Sequence, residues 1–73
     1  MKNTIKLDPI VSLYDLRQKA KADPRYVELA ITSAQNLGGN PIDFDGAFRW
    51  FNLSMMETGE DEQSIVNEIN FCI

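Results

Sequence analysis

The sequence contains no histidine, so it lacks the commonest general base and a leading transition-metal ligand, and no Ser–His or Cys–His nucleophilic pair can form. Most hydrolase mechanisms are thereby excluded. The single cysteine, Cys72, cannot close an internal disulfide, so the fold is independent of an oxidising compartment and a reducing cytoplasm is the expected setting. Without a basic neighbour in sequence to lower its thiol pKa, Cys72 reads as a small core residue rather than a nucleophile. Long apolar runs are also missing. Nothing approaches the roughly 20 residues that cross a bilayer, and the first eleven residues lack a continuous apolar signal region. Neither membrane attachment, nor a cofactor, nor an enzymatic activity is expected.

Positive charge is scarce beyond Arg25. Residues 26–73 hold Arg49 alone against eight acids, a net of −7, whereas residues 1–25 hold six bases against three acids, a net of +3. The chain as a whole carries −4 and is electrically polarised, with an acidic end that attracts basic surfaces and repels phosphate. Direct nucleic-acid binding is therefore not expected. Its one basic stretch, Arg17, Lys19, Lys21 and Arg25, has no interleaved aromatics for stacking on bases.

What is present in quantity is apolar side chain: 44% of 73 residues, too much for a disordered segment. The length fits one domain, 1–73, near the size at which a core suffices without metals or disulfides, so a homodimer is one expectation. The apolar content concentrates in residues 43–57, DFDGAFRWFNLSMME, which carry three of the four phenylalanines, the only tryptophan and two of the three methionines. At about 100° per residue, Phe44, Ala47, Phe48, Phe51 and Met55 share one helical stripe. Trp50 and Leu53 fall on the far side, in line with Gly46. That helix is apolar on two faces and must bury both or offer one to a partner. The rest of the chain reads as cover for it.

Proline, glycine and aspartate punctuate the remainder. Asp8-Pro9 and Asp23-Pro24 each resemble a helix start, with a carboxylate to cap free amides and proline in the first turn. Gly38-Gly39 and Gly59 are stop signals. Glu60, Asp61 and Glu62 suit the positive end of a last helix. The expected fold is an all-α bundle of three to four short helices, at about 8–22, 23–37, 43–57 and 60–72. Val27, Ala30, Ile31, Ala34 and Leu37 form the inner side of the second helix, and Ile65, Val66, Ile69 and Ile73 that of the last. A short strand or ordered arm at 3–7 is a further expectation. Alternation of Ile69, Phe71 and Ile73 leaves a terminal strand as the competing reading for 65–73, and the longer helical periodicity favours helix.

Three motifs invite a function; the first is refused by its spacing, the second by its charge, and the third leaves a further alternative. Asp43-Phe44-Asp45-Gly46 is similar to part of a calcium loop, but with Gly46 sixth the first ligand would be Pro41 and the twelfth Asn52, so no metal site follows. A helix-turn-helix built from the second and third helices would bring Asp43, Asp45 and Glu57 to phosphate against Arg49 alone. Leu37-Gly38-Gly39-Asn40, followed by Ala47 and Trp50, resembles the second half of a ubiquitin-associated domain, over about a third of the chain. Trp50 lies several residues further from the turn than in that family, and the family's Met-Gly-Phe/Tyr loop is absent. The resemblance implies a helical binding domain and transfers no binding residues.

The function expected from these residues is a small non-enzymatic, regulatory protein–protein interaction module. It would bind a partner or itself through Gly46, Trp50 and Leu53, aromatic and aliphatic anchors beside a small residue. The alternative is an acidic inhibitor or nucleic-acid mimic that seats Asp43, Asp45, Glu57, Glu60, Asp61 and Glu62 on a basic surface.

Overall fold

Residues 7–73 are described by a computed structural model; the strand expected at 3–7 lies outside them except for Leu7, which is not in a strand. The described residues form four helices and no strand: α1 Leu13–Ala22, α2 Arg25–Asn36, α3 Phe44–Thr58 and α4 Glu62–Phe71. No helix among them is long and apolar enough to cross a membrane.

The first helix starts five residues later than Asp8-Pro9 suggests. Ser12 is its cap, with extended backbone and a hydroxyl that accepts the Asp15 N–H at 3.0 Å. Residues 7–12 instead form an arm whose backbone groups are taken by side chains from elsewhere. The Tyr26 hydroxyl donates to the Asp8 carbonyl at 2.9 Å. The Asn70 amide accepts the Ile10 N–H and donates to the Ile10 carbonyl, both at 2.9 Å. Glu62 accepts the Leu13 N–H at 2.7 Å. A helix beginning at Asp8 would have spent the Ile10 carbonyl on the Tyr14 N–H and left the Ile10 N–H to a cap; instead Ile10 is buried and the arm is bound to α2 and α4.

The hub of the bundle is α2, which packs against α1, α3 and α4, most extensively against α3. The expectation that residues 43–57 form the organising centre is corrected on this point. Ala30 and Ala34 are fully buried and let the neighbouring helices come close. The inner stripe of α2 is Tyr26, Leu29, Ala30, Ser33 and Ala34, rotated from the expected one, with Val27, Ile31 and Leu37 half-buried. Tyr26 explains the rotation: its ring is buried and its hydroxyl holds the arm. The stop of α2 is a Schellman motif. Gly38 takes φ +97°, its N–H donates to the Gln35 carbonyl at 3.0 Å, and the Gly39 N–H reaches back to Ala34 at 2.8 Å.

Asp43 caps α3 by accepting the Gly46 N–H at 2.8 Å, and Gly59 ends it in the left-handed region. Its inner stripe follows the expected phase: Ala47, Phe48 and Phe51 are buried, with Phe44 and Met55 half-buried at the ends. The Arg17 guanidinium from α1 lies 4.5 Å from the Phe48 ring centroid and 5.8 Å from that of Phe44, tying α1 to α3 by a cation–π contact. Asp61 caps α4, which buries Ile65, Val66 and Ile69 as a helix rather than a strand; Ile73 lies beyond it, 36% exposed.

Candidate protein-interaction face

Opposite the buried stripe, α3 turns Arg49, Leu53, Met56 and Glu57 outward, all exposed, with Trp50 half-buried at the edge. Ile42, immediately before the Asp43 cap, is 92% exposed, and Met56 is 80% exposed. Two shallow depressions flank the ridge made by Trp50 and Leu53. One, of about 280 Å³, is bounded by Leu37, Ser54, Glu57, Thr58 and Glu60. The other, of about 380 Å³, is bounded by Asn40, Pro41, Ile42, Gly46 and Arg49. The expected trio Gly46, Trp50 and Leu53 thus lines a common depression.

Within that trio the three residues have different surroundings. Leu53 is 38% exposed. Trp50 lies against the Gly38-Gly39 turn, packs on the edge of the core, and its indole Nε1 is sealed without a hydrogen-bond partner among the described residues. Gly46 is backed by its own chain: a Cβ there would lie 3.1 Å from the capping Asp43 carboxylate and 3.4 Å from Pro41 Cβ. A larger residue at Gly46 would press on the cap of its own helix before reaching any partner.

The turn glycines have separate reasons. Gly38 supplies the positive φ, whereas a Cβ on Gly39 would sit 2.7 Å from Trp50 Cγ, 2.8 Å from Cδ2 and 2.9 Å from Cδ1. Gly39→Ala is therefore expected to cost about 1–3 kcal/mol through overpacking and to push the indole outward. A lower thermal midpoint with red-shifted Trp50 emission is the expected result; an unchanged midpoint and emission would contradict the contact.

The six acids do not act together. Asp43 and Asp61 are helix caps and Glu62 binds the Leu13 N–H, while Asp45, Glu57 and Glu60 make no ion pair among the described residues. The N–H of Ser64 holds the Asp61 carboxyl below its ordinary value of 3.8. Lys19 and Arg25 do the same for Asp15 and Asp23 through side-chain hydrogen bonds. A carboxyl with a lowered folded value binds fewer protons when folded. Its stabilising contribution is complete above the unfolded value and disappears as pH falls through the folded one. The thermal midpoint is expected to be level from pH 7 to about pH 5 and to drop below about pH 4. A midpoint that rises on acidification through that range would contradict these assignments.

Sequence reasoning missed Ile42, Met56 and Leu37 as parts of this face. Ile42 precedes a helix cap, where an apolar residue commonly folds back onto the first turns; its exposure is a tertiary outcome. Met56 stands three residues after Leu53, a spacing that would have placed it beside that anchor. No family model, curated protein or solved structure matches the chain.

Proposed function

We propose that this chain is a non-enzymatic protein-interaction module whose contact surface is the outer face of α3. The observation supporting this reading is the grouping of exposed apolar side chains there. Elsewhere among the described residues the exposed large apolar ones are Tyr14 on α1 with Val11 just ahead of it, and Phe71 on α4 with Ile73 just beyond it, and neither pair lines a depression with a half-buried aromatic; α2 exposes none. On α3, Leu53 and Met56 stand together, with Ile42 just ahead and the half-buried Trp50 between two depressions. Aromatic and aliphatic anchors beside concavities are the usual centre of an interface. The alternative, an acidic inhibitor of a nucleic-acid-binding protein, is less well supported because Asp43, Asp61 and Glu62 are engaged in the fold itself.

Site-directed photocrosslinking in the cells that make the protein tests this proposal. A photoreactive side chain at Met56 is expected to give discrete protein adducts that persist in about 0.5 M salt, where charge-driven contacts are screened, and that vanish with Leu53→Arg. Equal adducts from a probe at Glu28 on α2, or adducts abolished by salt alone, would contradict it.

A further inference from the structure

The outer stripe of α3 has a sequence pattern that is symmetric about Leu53. Arg49 precedes Leu53 by four residues and Glu57 follows it by four; Trp50 precedes it by three and Met56 follows it by three. At about 100° per residue, Arg49, Leu53, Met56 and Glu57 fall within an arc of about 100°, and all four are exposed. Neither Arg49 nor Glu57 makes an ion pair among the described residues.

We propose that the occupant of this face is a second copy of the chain, its α3 antiparallel to the first about a two-fold axis at Leu53. The proposal rests on the reading of α3 as an interaction surface and specifies the partner. In an isologous contact a patch must complement itself: whatever residue i meets on the second copy meets residue i in return. Antiparallel pairing centred on Leu53 brings Arg49 level with Glu57 of the second copy across the seam, twice, and, because the two-fold keeps each flank on its own side, sets Met56 beside the second copy's Arg49 and Trp50 beside its Glu57. Leu53 meets Leu53 at the centre. Parallel pairing would instead oppose arginine to arginine and glutamate to glutamate. The charges therefore select one orientation and one register, and they bracket the apolar centre about 6 Å along the axis on either side. A basic peptide, the other occupant that Glu57 and Glu60 would suit, meets repulsion from Arg49. A contact limited to a helix about 22 Å long is at the small end of specific interfaces, so association in the range of about 10–100 μM is expected.

Sedimentation equilibrium of the full chain tests this with paired charge reversals, each variant checked for retained helical dichroism. The wild type is expected to dimerise, while R49E alone and E57R alone each weaken association by at least about tenfold. The equimolar mixture of R49E with E57R is expected to dimerise again, because each crossing pair is then one acid and one base. The double variant R49E/E57R should recover for the same reason. If either reversal disturbs folding, R49Q and E57Q give the same test through charge removal, with weakened association expected of each. Wild-type protein that stays monomeric to about 500 μM would overturn the proposal. So would single variants that associate like the wild type, or a mixture no better than its components. Leu53→Arg separates the two levels. If it abolishes association or the Met56 adducts while the charge variants are inert, the face stands and the antiparallel pairing falls; if it too is inert, both fall.

Discussion

Replacing Phe51 with alanine is expected to leave the chain largely unfolded. The side chain is fully buried, and its ring meets Phe48 edge-on at 5.9 Å between centroids. Phe48 in turn packs against Phe44 at 4.9 Å and beneath Arg17. Removing Phe51 therefore opens a cavity at the centre of the α3 core stripe, on the face packed against α2. Phe→Ala in a core costs about 3–5 kcal/mol, while a domain of this size is stable by about 4–11 kcal/mol in all. Loss of most far-ultraviolet helical signal at room temperature, or a midpoint lowered by tens of degrees, is the expected outcome. A spectrum and midpoint like those of the wild type would show that α3 is rotated from the orientation described.

Asn70→Ala is expected to have the next largest effect, about 2–3 kcal/mol, from a half-buried residue with no place in an apolar stripe. Its amide is the sole described partner of both the N–H and the carbonyl of Ile10. Its loss leaves two backbone groups unpaired beside a core side chain. The arm can recover them from water only by undocking, which exposes Ile10. Asn70→Asp discriminates this from simple packing: it nearly preserves volume and keeps an acceptor for the N–H, but sets a carboxylate against the Ile10 carbonyl. Both variants should lower the midpoint; Asn70→Ala should remove hydrogen-exchange protection at Ile10, and Asn70→Asp, which still accepts the Ile10 N–H, should reduce it. A midpoint like the wild type's for Asn70→Asp would mean that the bond to the Ile10 carbonyl adds nothing, and one like the wild type's for Asn70→Ala that the arm is held by Tyr26 and Glu62 alone.

Where the chain signals its own local structure, the fold was legible. Gly38 and Gly59 act within a few residues of themselves and stop helices where expected, while Asp43 and Asp61, caps of α3 and α4, stand within a residue of the expected starts at 43 and 60. The periodicity of Ile65, Val66 and Ile69 identified α4 as helix for the same reason. The start of α1 was not legible, because the groups that hold residues 7–12 out of a helix are Tyr26, Glu62 and Asn70, remote in sequence. The rotation of α2 depends likewise on the Tyr26 hydroxyl finding the Asp8 carbonyl. For the candidate face, the wheel of residues 43–57 separated Trp50 and Leu53 from the core stripe. It held no sign that Trp50 would close over Gly39, nor that Arg17 would cover Phe48. Such contacts belong to tertiary packing, and no local spacing encodes them.

The claim that α3 holds the fold with one face and binds with the other is tested most directly by amide spectra of isotope-labelled protein. Dilution from about 1 mM to about 20 μM crosses the expected association range. The account predicts concentration-dependent shifts at Arg49, Leu53, Met56, Glu57 and the Trp50 indole N–H, with Phe48, Phe51 and the amides of α1 unmoved. Spectra that do not change, or shifts centred on α1 or α4, would contradict it.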